Sequence, residues 1–160
     1  MAAGSWESYH AITTLLYEYT ERMDAADFDA LADMFADAVL TNEGVDGAVT
    51  GGEAIAALYR RTNRVHADGT LRTRHLTANP VVDVDEDAGT ATARSAFVVF
   101  QQTPELRLQP IVTGRYRDRF VRAAEGWRFA QRHIIVDHVG DVREHLAFDL
   151  AAFKEQHSGP

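Results

Sequence analysis

The feature that most restricts the fold is a run of four long strand-like segments in the second half of the chain. They are rich in Val, Ile, Thr and Phe, which are frequent in strands, and they cover residues 72–85, 89–102, 108–123 and 126–139. The turns "DEDAG" and "AAEG" place glycine where a hairpin needs positive φ. Because strands joined by short turns pair with their neighbours, the pattern predicts an antiparallel meander.

The first half of the chain has helical periodicity instead. Residues 5–23 carry apolar side chains at helical spacing, Asp27 is a suitable N-cap for a second helix, and "TGGEAIAALYRRT" predicts a third. "VREHLAFDLAAFKEQ" predicts a C-terminal helix over residues 142–156. Helices followed by a meander indicate an α+β fold. We expect a curved antiparallel sheet wrapped around the N-terminal helices, with a cone-shaped pocket that binds a small ligand.

Length and composition limit the class of protein. Residues 1–160 are expected to form a single domain, with its core over residues 8–140. There is no cysteine, which excludes disulfides, thiolate nucleophiles and iron–sulfur clusters. The formal net charge of −8 argues against nucleic acid as a partner, because an acidic surface repels phosphate. The sequence shows no membrane-spanning run and no secretory signal, so we expect a cytoplasmic protein with no membrane partner.

The predicted sheet also suggests self-association. Its four long strands can offer only one face to the helices. The other face carries large apolar side chains that need cover, so we expect a homo-oligomer, either a dimer or a trimer.

His75, in the stretch "TRHLTANP", is the first candidate for catalysis. Asp24 ends the first helical segment, where the negative end of the helix dipole disfavours a carboxylate and a partner is needed. If that helix crosses the sheet, Asp24 reaches the strand of His75, and an Asp–His pair is a general base that needs no cofactor. Two other interpretations stay open. Asp24 could be a turn or capping carboxylate, and strict alternation would place His75 in solvent.

Arg132, in "GWRFAQRHIIVD", is the second candidate. The apolar residues change parity near Gln131 and Arg132, which indicates either a bulge or a strand buried on both faces. An arginine in such a strand needs a partner. That partner is either an anionic group of a ligand or an acidic side chain of the protein itself.

The other histidines give no convincing metal site. Three are expected in solvent: His10, His66 and His157. His133 and His138 differ by five residues, which places them on opposite faces of a strand. His145 and Asp149 are four residues apart on a predicted helix, but two ligands are too few. We therefore expect neither a metal nor a cofactor.

Four segments in this order resemble the SnoaL-like branch of the nuclear transport factor 2-like superfamily: "YTERMDAADFDALADMFADAV", "GGEAIAALYRR", "TRHLTANPVVDVDEDAGTATARS" and "GRYRDRFVRAAEGWRFAQRHIIVD". The resemblance covers roughly residues 8–140. Within it, the pattern is similar to that of scytalone dehydratase and hexachlorocyclohexane dehydrochlorinase, which pair an Asp at the end of the first helix with a His early in the sheet. Asp24 and His75 fall on those positions, and Arg132 falls on the position of an Arg in the dehydrochlorinase.

The resemblance implies a cofactor-independent lyase of the dehydratase type, or an isomerase, acting on a small hydrophobic hydroxy-carbonyl compound, such as a cyclic one. His75 would take a proton from carbon while Asp24 orients its ring. Arg132 would stabilise an oxyanion or a leaving group, which Tyr19 or Tyr116 would protonate. The expected pocket walls are apolar: Met34, Leu58, Phe97, Val99, Phe100 and Ile134.

The resemblance also leaves other functions open. Scytalone is not the expected substrate, because Met23 and, in a looser alignment, Glu43 stand where that dehydratase has the tyrosines that hold a water against the substrate carbonyl. A non-catalytic binding or assembly module, like the small subunit of ring-hydroxylating dioxygenases, which "RHIIVDHVGD" resembles, would need no coupled Asp24–His75 pair. An epoxide hydrolase or cyclase would depend on carboxylates and Arg132, and less on His75.

Overall fold

The computed structural model describes residues 4–150, and in this range the chain forms three α-helices: α1 (Trp6–Asp24), α2 (Phe28–Met34) and α3 (Gly52–Thr62). In the same range it forms six β-strands: β1 (Val39–Asn42), β2 (Val49–Thr50), β3 (Thr73–Asp85), β4 (Thr90–Gln101), β5 (Gln109–Ala123) and β6 (Gly126–Val139). Each long strand agrees with its predicted segment to within one residue at either end. The α+β fold predicted from the sequence is confirmed.

The strands form one curved, open sheet in the order β2-β1-β6-β5-β4-β3. The four long strands pair antiparallel as predicted, but β1 runs parallel to β6, so the sheet is mixed rather than wholly antiparallel. We call the face that packs against the helices the inner face and the opposite one the outer face. None of the helices described is long and apolar enough to cross a membrane.

Helix α1 lies across the inner face and packs mainly on β3. Ile12, Leu16, Tyr19 and Met23 recur at helical spacing and are all buried, which fixes the side of α1 that faces the sheet. Asp24 is the last residue of this helix and continues the buried stripe. The apolar pattern of α1 therefore delivers a carboxylate to the first long strand.

A bulge at Asn79 decides which side chains of β3 point inward. Ala78 pairs with Ala96, whereas Val81 pairs with Arg94, so β3 contains one extra residue here. Asn79 has a φ of 53°. The extra residue reverses the alternation, so that His75 before it and Val82 and Val84 after it all face the core. Strict alternation, which would have placed His75 in solvent, is therefore wrong.

The outer face keeps apolar side chains in contact with solvent. Leu76 is 46% exposed and lies beside the half-buried Val98 and Phe100, and Val81, further along β3, is 40% exposed. This is the apolar surface on which the expected self-association rests, and the dimer or trimer stays a prediction.

The predicted C-terminal helix over residues 142–156 is wrong for its first part. Residues 143–145 form a turn, Leu146 forms an isolated β-bridge with Asn63, and of residues 142–150 only Leu150, the last residue described, is helical. The backbone here forms hydrogen bonds with the end of α3 and the residues after it. For example, the Arg64 amide donates to the His145 carbonyl at 2.8 Å. These contacts take the groups that a helix would have used, and the rest of the predicted helix lies outside the described residues.

The entry to α3 gives a test of helix packing. A Cβ atom added to Gly52 would overlap the backbone carbonyl of Ala32 in α2. We expect Gly52→Ala to lower the free energy of unfolding by about 2 kcal/mol or more, because the two helices must separate. Urea unfolding measures this.

Gly140→Ala is the matched control. Its new Cβ would lie 3.4 Å from its nearest neighbour, the Pro110 carbonyl oxygen, so the expected loss is well under that of Gly52→Ala. Equal losses in the two variants would contradict the close α2–α3 contact.

Candidate active site

Asp24 and His75 form a buried hydrogen-bonded pair. The His75 Nδ1 atom lies 2.6 Å from Asp24 Oδ1, and the His75 backbone amide donates to both carboxylate oxygens at 3.1 Å. The Thr73 hydroxyl donates to Oδ1 at 2.7 Å. Since all these donors belong to the first three residues of β3, the Asp24 carboxylate binds this strand and is not a turn or capping carboxylate.

The contact with Asp24 sets the tautomer of His75. A carboxylate oxygen 2.6 Å away accepts the Nδ1 proton, which leaves the lone pair on Nε2. Both side chains are nearly enclosed, with relative exposures of 9% for Asp24 and 7% for His75. Arg74 adds a distant cation, with Nη1 at 3.9 Å from Asp24 Oδ2. The arrangement has the geometry of an oriented general base.

A second histidine, His145, lies against the first. The two ring centroids are 6.2 Å apart and the rings are tilted by 57°. His145 is 7% exposed, and its Nδ1 atom is buried without a hydrogen-bond partner among the described residues. No local pattern in the sequence indicated this position, because His145 lies in a segment predicted as a helix and reaches His75 only through the turn that follows β6.

Two side chains fix the backbone next to His145. The Glu144 carbonyl accepts from Gln101 Nε2 at 3.0 Å and lies 2.9 Å from His66 Nε2. Gln101 Nε2 also donates to the Leu71 carbonyl at 3.0 Å. His66, expected in solvent, is in fact half-buried and part of this contact. The segment after β6 is thus held to the end of β4 and to the loop before β3.

Arg132 lies on the inner face of β6, where its guanidinium binds side chains of the protein itself. Its Nε and Nη2 atoms donate to the two oxygens of Asp118 at 2.8 Å each, and both side chains are fully buried. Its guanidinium carbon lies 4.1 Å from the Tyr19 ring centroid and 4.0 Å from that of Tyr116. Of the two partners left open by the sequence, the structure shows the internal acidic one. Of the three guanidinium nitrogens of Arg132, Nη1 has no hydrogen-bond partner among the described residues.

The predicted change of parity near Arg132 is a bulge. Phe129 pairs with Phe120 and Gln131 pairs with Arg119, so Ala130 is the extra residue. The bulge allows both Phe129 and Arg132 to face inward.

The Asp118 carboxylate keeps Arg132 charged, whereas burial keeps Tyr59 and Tyr116 protonated. Burial lowers the pKa of Arg132, but the paired carboxylate of Asp118 more than offsets this, and the pKa lies above its usual value. Burial raises the pKa of Tyr59 and of Tyr116 well above the usual value. The Tyr59 hydroxyl is 3.2 Å from that of Tyr19. Tyr59 and Tyr116 are therefore protonated at neutral pH.

Most of the predicted wall residues lie on the core side. Val99 pairs with His75 across the β3–β4 ladder, Phe97 stacks on Tyr116 with centroids 4.4 Å apart, and Ile134 pairs with Tyr116. Met34 and Leu58 approach from the helices: Met34 is buried in α2, and Leu58 of α3 packs against the core.

Phe100 is the exception among the predicted wall residues. Val99 and Gln101 are buried on the inner face, so the alternation of β4 turns Phe100 to the outer face. Its assignment as a wall of the pocket is therefore wrong.

Several buried polar side-chain atoms in the part of the chain described have no hydrogen-bond partner. They are Thr77 Oγ1, Ser95 Oγ, Gln101 Oε1, Arg132 Nη1 and His145 Nδ1. Buried polar groups are normally hydrogen-bonded, so these atoms require water or a ligand. The surface grooves around Arg94 and around Arg143 lie elsewhere and do not include the Asp24–His75 pair. The cone-shaped pocket stays a prediction.

Comparison with known proteins places this architecture in the nuclear transport factor 2-like superfamily. One similar structure is a nuclear transport factor 2-like protein with a cystatin-like fold from Novosphingobium aromaticivorans, 28% identical over 81% of this chain and 82% of that one, with a TM-score of 0.67. Another is Aln2 from a Streptomyces species, 28% identical over 84% and 94%, with a TM-score of 0.70. A candidate scytalone dehydratase from Novosphingobium aromaticivorans, 21% identical over 83% and 86%, shares the fold with a TM-score of 0.65.

A family model described as the SnoaL-like domain matches residues 5–133. The chain belongs to this family, as the resemblance in its sequence implied. No curated protein matches the chain significantly.

The buried Arg132–Asp118 pair gives a stability test. We expect Asp118→Ala to cost about 3–5 kcal/mol of unfolding free energy, because it leaves a fully buried guanidinium without its carboxylate. The control is Asp137→Ala, which removes the exposed partner of Arg115 on the same two strands and should cost about 1 kcal/mol or less. Similar losses in urea unfolding would show that Arg132 does not depend on Asp118.

His145 gives a test by pH. Burial, with His75 nearby, lowers the pKa of His145 to about 4, whereas an unfolded histidine has a pKa near 6.5. Below about pH 6.5 the imidazole is protonated in the unfolded state but not in the folded state. The free energy of unfolding therefore falls as the pH decreases from about 6.5 towards 4, and this group has no effect above about pH 6.5. The total is on the order of 3 kcal/mol.

The measurement is urea unfolding of the parent and of His145→Gln from pH 7.5 to 4. The parent should lose more stability than the variant across this window. His10→Gln, at an exposed position, should follow the parent. Parallel curves for the parent and His145→Gln would contradict the low pKa.

Proposed function

We propose that this protein is a cofactor-independent enzyme that removes a proton from carbon, either a dehydratase-type lyase or an isomerase. Its substrate would be a small, largely apolar hydroxy-carbonyl compound, with cyclic compounds as the first candidates. The observation that carries the proposal is the 2.6 Å contact between Asp24 and the Nδ1 atom of a buried His75. Membership of the SnoaL-like family, and the fold shared with a candidate scytalone dehydratase, support it.

The chemistry begins at His75 Nε2. In the proposed first step, the C–H bond next to the substrate carbonyl breaks, its proton moves to Nε2, and the electron pair forms an enolate. Asp24 accepts the Nδ1–H bond and stabilises the imidazolium that results. In a dehydration, the enolate then expels a hydroxyl group from the neighbouring carbon, and the proton leaves with it as water. In an isomerisation, the proton returns to a different carbon.

The Arg132 cluster is the proposed site of the leaving group. Arg132 holds the rings of Tyr19 and Tyr116 on its guanidinium, and its Nη1 atom has no partner among the described residues and can donate. Tyr116 keeps its proton at neutral pH, because burial raises its pKa. We propose that Tyr19 or Tyr116 donates a hydrogen bond to the departing hydroxyl, with Arg132 fixing the rings.

The test is proton exchange catalysed by the protein. A panel of small cyclic β-hydroxy ketones is incubated in D₂O, and deuterium at the carbon next to the carbonyl is followed by NMR, while enone formation is followed by absorbance. We expect exchange with the parent protein. His75→Gln and Asp24→Asn should reduce it by about 10²–10⁴-fold, the usual contribution of a general base. His10→Gln, at an exposed histidine, should leave the rate unchanged.

Each other outcome identifies a different function. No exchange with any compound would contradict the proposal and favour a non-catalytic module. Turnover of epoxides that is lost in Asp24→Asn but kept in His75→Gln would indicate carboxylate chemistry. Near-UV circular dichroism of each variant shows whether a lost activity reflects a lost fold.

A further inference from the structure

We propose that His145 is a second catalytic imidazole, which donates a hydrogen bond to the substrate oxygen that becomes negatively charged when His75 removes the proton. The inference rests on the proposed function and adds to it a residue from the turn after β6. It also narrows the substrate class, because it requires a carbonyl oxygen next to the acidic carbon.

The first support is the way the chain holds His145. The Glu144 carbonyl lies within hydrogen-bond reach of Gln101 from β4 and of His66 from the loop after α3, and the His145 carbonyl accepts from the Arg64 amide. The backbone on both sides of the imidazole is therefore fixed by groups that are distant in sequence. Such a fixed backbone is what a preorganised donor needs.

The second support is that one ring nitrogen of His145 has no hydrogen-bond partner among the described residues. His145 is enclosed, yet its Nδ1 atom meets no partner among the described residues. Gln101 Oε1, on the adjacent end of β4, is unpartnered within the same range. Leaving buried polar atoms unpaired is unfavourable, so both atoms are suited to a polar ligand that enters beside His75.

The third support is the difference between the two imidazoles. His75 has the Asp24 carboxylate at 2.6 Å, whereas His145 has no carboxylate of residues 4–150 in hydrogen-bond contact. The groups that face His145 are His75, Asp24 and His66, and burial together with the two histidines lowers its pKa to about 4 against the opposing effect of Asp24. At neutral pH, His145 is therefore an uncharged ring with one N–H to donate. Environments that differ in this way assign the base and the donor to different residues.

The fourth support is the spacing. The carbon that loses the proton and the carbonyl oxygen are two bonds apart, about 2.4 Å. The two rings have centroids 6.2 Å apart and are tilted by 57°, so they are not stacked face to face. In the proposal, the carbonyl fragment contacts one edge of each ring. The C–H bond breaks towards His75, the carbonyl π electrons move to oxygen, and the His145 N–H donates to that oxygen without giving up its proton.

The test uses 4-nitrophenol, whose coloured phenolate imitates an enolate oxygen. We expect the parent protein to bind it and to lower the pKa of the bound phenol, as seen by absorbance. His145→Phe, which keeps a flat ring but has no donor, should weaken binding of the phenolate by about tenfold or more. His145→Gln, which keeps a donor, should recover part of the loss, and His10→Gln should bind like the parent.

NMR of the parent protein gives an answer that needs no variant. The imidazole N–H signal of His145 should move downfield when 4-nitrophenol is added, and the signal of His10 should not. The proposal is overturned if the parent does not bind the phenolate, or if binding moves neither this signal nor the affinity of a folded His145→Phe.

The two proposals can fail separately. If 4-nitrophenolate binds through His145 but no compound exchanges deuterium, the oxyanion site stands and the proton-abstraction proposal fails. If exchange occurs and depends on His75 but not on His145, the base stands and the inference about His145 fails.

Discussion

The hydrogen bonds that Asp24 accepts from the start of β3 organise the rest of the molecule. The carboxylate stands at the C-terminal end of α1, where the helix dipole disfavours it, and the donors of Thr73 and His75 compensate. Because these contacts are buried, they hold the C-terminal end of α1 against the first residues of β3. The contact that anchors the first helix is thus the same contact that orients the candidate base.

A second ionic contact, between Arg132 and Asp118, holds the opposite part of the core. It lies between two paired strands and under the rings of Tyr19 and Tyr116, so a charged pair and an aromatic cluster support one another. Tyr19 belongs to α1, so the helix is fixed to the sheet by Asp24 at its end and by an aromatic contact one turn earlier. Separating β5 from β6 at this point would leave a buried charge without its partner, so the pair ties the two strands together.

Local patterns predicted the long strands, the first helix and the parity change at Arg132, because alternation and helical spacing report which face of an element is buried. The position of Asp24 at a helix end, together with the family resemblance, led to its contact with His75. Periodicity could not report the bulge at Asn79 or the parallel pairing of β1 with β6, which arise from contacts distant in sequence. His145 escaped prediction for the same reason, since Gln101, His66 and Arg64, all distant in sequence, hold its turn in addition to the local hydrogen bonds to the Val142 carbonyl.

The bulge at Asn79 also bears on how such a sheet could change over generations. With the extra residue, the side chains before and after it share the inner face; without it, one of the two halves of β3 would turn its inner row outward. Deleting a single codon would therefore exchange a whole row of lining side chains at once. A substitution alters one position of the row, whereas the gain or loss of a bulge changes the inward-facing side chains along half a strand.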